Sequence, residues 1–111
     1  MAQVNNNALP YNLEAEQSVL GAILIDMECQ FEIVSKLKES DFFLESHKLI
    51  FASMSAISAA NKPIDVVTLS DDMEKRATLE KAGGIEYVTE LARTTPSAAN
   101  YQFYLDIIKR D

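Results

Sequence analysis

Few side chains in this 111-residue chain could perform acid–base chemistry. His47 is the only histidine, and Asp41 and Glu45 are close enough in the sequence to orient its ring as a general base. No serine or cysteine lies in a recognisable nucleophile elbow. A histidine at a helix start beside several phenylalanines is more often a packed structural residue. We therefore predict no catalytic residue, and an enzyme that uses His47 with Asp41 is the most remote alternative.

Metal and nucleotide sites are not predicted either. Cys29 is the only cysteine, so neither an internal disulfide nor a thiolate cluster can form, and we expect a small, partly buried side chain. The acidic run of Asp71, Asp72 and Glu74 is typical of a solvated helix face. None of the three glycines precedes lysine and a hydroxyl residue, as a phosphate-binding loop requires. We expect no metal and no cofactor in this chain.

The charge balance also restricts the partners of the chain. Seventeen acidic and ten basic residues give a formal net charge of -7, which repels phosphate and predicts little affinity for DNA. A basic or apolar partner is favoured. The first residues contain no secretory signal, and the apolar run at 19–25 is too short to span a bilayer. These features predict a soluble cytoplasmic protein that does not enter the membrane.

The elements that would position these side chains are helices, because glycine and proline are scarce, with three of each. Asn12 is placed to cap a first helix, in which Gly21 costs about 1 kcal/mol against alanine. Close approach of another helix would compensate that cost, and simple tolerance of the glycine is the alternative. Residues 27–39 form a predicted second helix, followed by a turn. The aromatic and aliphatic residues predicted to enter the core here are Phe31, Val34, Leu37, Phe42 and Phe43.

The second half of the chain continues the helical pattern. A third helix is predicted over residues 45–61 and cannot pass Pro63. Asp65 is a good cap for a fourth helix, and a glycine pair separates that helix from a fifth over residues 85–93. Ser97 is expected to cap a last helix. The chain is therefore predicted to be all-α, an orthogonal bundle of about six helices with no β-sheet.

Several capping and turn motifs follow one another in a definite order. They are residues 10–21 (PYNLEAEQSVLG), 41–43 (DFF), His47, 50–51 (IF), 62–65 (KPID), 83–84 (GG) and 94–100 (TTPSAAN). This ordered set closely resembles the N-terminal domain of bacterial replicative helicases of the DnaB family, over about residues 10–110. The matching positions are mostly of packing, capping and turn type: Glu14, Glu16, Gln17, Gly21, Pro63, Asp65, Gly83, Gly84, Pro96, Ser97 and Asn100.

The resemblance implies a role without catalysis. Residues 1–9 contain three consecutive asparagines and almost nothing to bury, so we predict a flexible tail there. The resemblance divides the remainder into a globular helical collar domain at 10–97 and the start of a truncated helical hairpin at 98–111. It implies assembly in dimer pairs within a hexameric ring and recruitment of primase, with a helicase loader as a further candidate partner. ATP and magnesium would bind only in a separate motor domain. Phe43 departs from the family, where tyrosine is usual.

The last helix carries the candidate surface for a partner or another subunit: Tyr101, Phe103, Tyr104, Leu105 and Ile108. An aromatic group near a terminus is often half exposed, so core and contact surface are equally good interpretations for the three aromatic residues. The alternative to a helicase domain is a stand-alone acidic helical adaptor that binds a basic partner.

Overall fold

The computed structural model describes residues 12–95 and 97–109. Those residues form six α-helices, one short 3₁₀ helix and no strand, which confirms the all-α prediction. The helices are α1 Leu13–Ile25, α2 Met27–Lys36, α3 Glu45–Ala59, α4 Val66–Lys75, α5 Gly84–Thr94 and α6 Tyr101–Lys109, with the 3₁₀ helix at Glu39–Asp41. The predictions for the tail at 1–9, for Pro10 and for Pro96 fall outside the described residues.

Side-chain caps fix where several helices begin. The Ala15 amide donates to Asn12 Oδ1 at 2.9 Å, as predicted for α1. At α4, the Thr68 amide donates to Asp65 Oδ1 at 2.8 Å, and the Asp65 amide donates to Thr68 Oγ1 at 2.9 Å. Gly83 precedes α5 with a φ of 109°, a backbone conformation that glycine adopts without strain.

Helix α1 is the central element of the bundle. It packs against α2, α3, α5 and α6, while α4 packs between α3 and α5. Most of α1 is buried, including Ala15, Val19, Leu20, Ala22 and Ile23. A helix that is apolar on nearly every side belongs in the interior, surrounded by other helices.

Gly21 allows α1 to contact the end of α5 directly. A Cβ atom at this position would lie 1.9 Å from Thr95 Oγ1 and 2.7 Å from the Leu91 carbonyl oxygen. The close approach that was expected to compensate the glycine is therefore present. The hydroxyl of Thr95 could rotate away, but the carbonyl belongs to the α5 backbone and could move only if the helix moved.

Helix α2 turns a different face to the core from the one predicted. Phe31 is 76% exposed, whereas Cys29 and Ile33 are buried and Val34 is only partly buried. Gln30 is responsible, because its side-chain amide is buried and donates to the carbonyls of Ile23 and Ile64, each at 2.8 Å. A polar side chain that satisfies two buried carbonyls thus occupies the interior, and the phenylalanine next to it points outward.

The pair Phe42–Phe43 contributes one side chain to the core, not two. Phe42 is 2% exposed and packs against Phe51 with ring centroids 5.1 Å apart, but Phe43 is 50% exposed. Phe42 is in an extended conformation, and successive side chains of an extended backbone point in opposite directions. The prediction that both rings enter the core is therefore wrong for Phe43.

Three predicted helix boundaries differ from the structure. Helix α2 ends at Lys36 and not at residue 39, and α3 ends at Ala59 before Asn61, which has a φ of 60°. Ser97 does not cap the last helix, because α6 begins only at Tyr101. The Ser97 hydroxyl instead accepts the Ala99 amide at 2.9 Å in the preceding turn. A local side-chain bond of this kind competes with helix formation.

Replacing Gly21 with alanine should lower the free energy of unfolding by about 1–3 kcal/mol through overpacking. Alanine is the better helix former by about 1 kcal/mol, so helix propensity alone would predict that the substitution raises the free energy of unfolding. Thermal and urea denaturation of Gly21→Ala would measure the change. An equal or higher stability would mean that α1 and α5 do not touch at this point.

Trimming Phe42 or Ile50 to alanine should cost about 2–5 kcal/mol, because both side chains are almost fully buried. Phe31→Ala is the matched control and, being exposed, should stay within about 0.5 kcal/mol of the parent chain. Pro63→Ala should also cost much less, since Pro63 is exposed and acts by ending a helix. If urea denaturation shows a larger loss of stability for Phe31→Ala than for Phe42→Ala, this placement of the core is wrong.

Candidate functional site

His47 is fully buried and lies between two helices other than its own. Its Nδ1 donates to Glu16 Oε1 on α1 at 2.7 Å, and its Nε2 is 2.6 Å from the Tyr87 hydroxyl on α5. Glu16 is itself only 2% exposed. The rings of His47 and Tyr87 are nearly parallel, at 8°, with centroids 5.9 Å apart.

Two further bonds complete this buried network. Glu16 Oε2 accepts the Phe43 backbone amide at 2.8 Å, and the Gln17 side-chain amide donates to the Tyr87 oxygen at 3.3 Å. Each carboxylate oxygen of Glu16 therefore has a donor, as a buried charge requires. The network connects α1, α3, α5 and the loop before α3.

A carboxylate, an imidazole and a hydroxyl in series form the arrangement that activates nucleophiles in hydrolases. In this chain the imidazole is completely enclosed, and both of its nitrogens contact protein groups. A substrate cannot reach it. We therefore interpret the network as structural.

The two acidic residues that lie near His47 in the sequence do not contact its ring. Asp41 Oδ2 accepts the Lys38 amide at 2.9 Å and is 3.7 Å from Lys109 Nζ, and Glu45 is exposed. The hypothesis of a His47–Asp41 pair is therefore wrong, and the partner is Glu16. One sequence signal could have indicated this, because Glu16 shares the helical spacing of the buried residues Val19 and Ile23.

The five residues of the candidate surface on α6 divide into two groups. Leu105 and Ile108 are buried within the chain, so neither offers surface to a partner. Phe103 is 62% exposed, while Tyr101 and Tyr104 are partly buried. The candidate surface thus consists of these three aromatic residues.

Both tyrosines of this surface donate to carboxylates on other helices. The Tyr101 hydroxyl donates to Glu32 on α2, and the Tyr104 hydroxyl donates to Glu14 Oε2 on α1 at 3.3 Å. The bond to Glu32 raises the pKa of Tyr101 to about 12, and the bond from Tyr101, followed by that from Lys36, lowers the pKa of Glu32. The Tyr101 hydroxyl therefore stays protonated and able to donate to Glu32 at neutral pH.

A cleft of about 350 Å³ lies beside these tyrosines, between α1, the end of α5 and α6. We call it the α1–α6 cleft. The residues that line it are Glu14, Gln17, Ser18, Ala22, Thr94, Thr95, Ser97, Asn100, Tyr101 and Tyr104. Four of the positions that match the helicase motifs therefore meet here, namely Glu14, Gln17, Ser97 and Asn100. The others lie at packing or turn positions, and Pro96 is outside the described residues.

Two kinds of feature are absent from the residues that the structure describes. Among residues 12–95 and 97–109, no three His, Cys, Asp or Glu side chains are grouped so that they could hold a metal ion. No helix in the same part of the chain is both long and apolar enough to cross a membrane. Burial, followed by the charge of Asp26, raises the pKa of Cys29 to about 11, so its thiol is protonated at neutral pH.

Comparison with known proteins gives a consistent result. The family model described as DnaB-like helicase N terminal domain matches residues 8–110. The chain is 44% identical over 101 residues to the replicative DNA helicase DnaB of Buchnera aphidicola subsp. Baizongia pistaciae, covering 91% of this chain and 22% of that protein. It is 35% identical over 106 residues to the replicative DNA helicase DnaC of Bacillus subtilis, covering 96% of this chain and 23% of that protein.

A solved structure gives the same match in three dimensions. The crystal structure of the N-terminal domain of DnaB helicase from Mycobacterium tuberculosis superposes with a TM-score of 0.85 at 31% identity. The match covers 91% of this chain and 70% of that one. The chain thus spans less than a quarter of the length of the two helicases named above.

Replacing Glu16 with glutamine should lower the free energy of unfolding by about 1–3 kcal/mol. The amide nitrogen would face either Phe43 N–H or His47 Nδ1–H and leave one buried donor without an acceptor. Glu14→Gln, the exposed neighbour two positions earlier, is the matched control and should change stability by less than about 0.5 kcal/mol. If Glu16→Gln and Glu14→Gln unfold at the same temperature, the buried network does not stabilise the fold.

Proposed function

Because the chain belongs to the family of DnaB-like helicase N-terminal domains, we propose that it is the non-catalytic assembly and partner-recruitment domain of a hexameric replicative DNA helicase. The observation that carries this proposal is the family match over residues 8–110. The proposed partners are other copies of the same domain, arranged in dimer pairs within the ring, and primase, with a helicase loader as a further candidate. Its proposed location is the bacterial cytoplasm.

The geometry supports a role in binding and not in reaction. The one histidine is enclosed by the network around Glu16 and Tyr87. In contrast, Phe103 projects from α6 with most of its ring exposed, next to two half-buried tyrosines. Aromatic residues are enriched in the cores of protein interfaces, where they contribute much of the binding energy.

The motor is proposed to lie in a part of the parent protein beyond this chain. The relatives named above are more than four times as long as the region they share with it. The chain has no phosphate-binding loop of its own. The alternative of a stand-alone acidic adaptor agrees with the net charge of -7, but it does not explain the match to replicative helicases.

Calorimetric titration of the chain with ATP and magnesium should show no saturable heat, because no glycine-rich loop is available to hold the phosphates. The parent helicase, titrated in parallel, is the positive control and should bind. Micromolar binding by the 111-residue chain would contradict the proposal.

Phe103→Ser in the parent helicase should weaken either ring assembly or the capture of primase by about tenfold, the usual effect of losing an interface aromatic worth 1–2 kcal/mol. Phe31→Ser is the matched control, since both rings are exposed on helices and removing either leaves the core intact. Light scattering would report assembly, and surface plasmon resonance would report primase binding. If Phe103→Ser behaves like the parent in both measurements, α6 is not the contact surface.

A further inference from the structure

Most residues that line the α1–α6 cleft have polar side chains, yet the hydroxyl hydrogens of Thr94, Thr95 and the two tyrosines are donated to protein acceptors. Thr94 Oγ1–H donates to the Glu90 carbonyl and Thr95 Oγ1–H donates to the Leu91 carbonyl, each at 2.8 Å. The hydroxyl hydrogens of the two tyrosines go to Glu32 and Glu14. The oxygens of these four residues therefore present lone pairs toward the cleft.

Two of the other polar groups add to this asymmetry. The Gln17 side chain directs its amide nitrogen to Tyr87 and keeps its carbonyl oxygen as an acceptor. Among the described residues of the lining, Glu14 supplies the only formal charge, and none is lysine or arginine. Ser18, Ser97, Asn100 and the second amide hydrogen of Gln17 are the donors that remain, so acceptors outnumber donors.

A site with many acceptors, one carboxylate and two aromatic rings favours a ligand that is positively charged, rich in hydrogen-bond donors and flat. Phosphates and carboxylates are disfavoured because they would meet lone pairs and the charge of Glu14. The arginine guanidinium has five N–H donors and no acceptor, and its flat face stacks on tyrosine rings. The lysine ammonium has three donors and cannot stack in this way.

We propose that the α1–α6 cleft binds the guanidinium group of an arginine side chain presented by a basic partner protein. This inference rests on the proposed recruitment function and specifies the chemistry of the partner at that surface. The net charge of -7 would attract such a partner over a distance, and the cleft would select arginine on contact. Phe103 lies on the same helix as Tyr101 and Tyr104, so an apolar residue beside the arginine could contact it at the same time.

The direct test is a nitrogen-15 NMR titration of the chain with N-acetyl-arginine methylamide. The control ligand is the citrulline analogue, which has nearly the same shape but no charge. Arginine should shift the amides of Gln17, Ser18, Thr95 and Tyr101 in a saturable way, and citrulline should leave them unchanged. Equal shifts with both ligands, or arginine shifts scattered over the surface, would overturn the proposal.

A pair of isosteric variants locates the binding. Glu14→Gln should weaken arginine binding about three- to fivefold, as expected for a partly exposed ion pair. Glu28→Gln removes the same charge from an exposed position on α2, outside the cleft, and should leave the affinity unchanged. Equal losses in the two variants would show that arginine responds only to net charge, and the cleft would then not be the site.

The two proposals fail in different ways. If arginine does not bind but Phe103→Ser still weakens assembly or primase capture, recruitment stands and the cleft inference is wrong. If arginine binds in the cleft but the parent helicase neither assembles nor captures primase through this domain, the cleft is a real site and the recruitment role is wrong.

Discussion

The fold depends on the burial of one carboxylate. Removing a charge from water costs several kcal/mol unless the protein supplies partners for it. Glu16 receives two, the His47 imidazole and the Phe43 amide, from a segment about thirty residues further along the chain. Because losing either partner would leave a buried charge half satisfied, α1 and the start of α3 must keep their relative positions. Tyr87 extends the same constraint to α5 through His47.

A second contact fixes α1 from another direction. At Gly21 the helix touches the last turn of α5 so closely that no side chain fits between them. The network fixes the first turn of α1, and the glycine fixes its middle against the segment that leads to α6. These two contacts join α1 to α5, and both helices contribute residues to the α1–α6 cleft.

The sequence predicted what depends on neighbouring residues. Asn12 and Asp65 were identified as caps because a cap bonds to an amide three residues away, within the reach of a local pattern. Leu37 and Phe42 were placed correctly in the core. The close approach of another helix at Gly21 was also predicted, although the sequence could not show that Thr95 would be the residue opposite it.

The predictions that failed depended on contacts between distant residues. Periodicity favoured Phe31 over Gln30, because nothing local shows that two buried carbonyls, at Ile23 and Ile64, need a donor. The alternative that paired His47 with Asp41, which the sequence did not favour, rested on sequence distance alone, whereas Glu16 is 31 residues away. Most of the lining of the cleft could not be foreseen either, since it combines α1 with residues 94–104.

Native-state hydrogen exchange at the Phe43 amide tests the account most directly. This amide lies outside the helices, and amides in such segments usually exchange faster than those of a buried helix. If the buried Glu16 carboxylate holds the fold together, the Phe43 amide should exchange only through global unfolding, with the same opening free energy as the slowest amides of α1. Exchange at the rate of an exposed loop, while α1 remains protected, would contradict the central place given to Glu16.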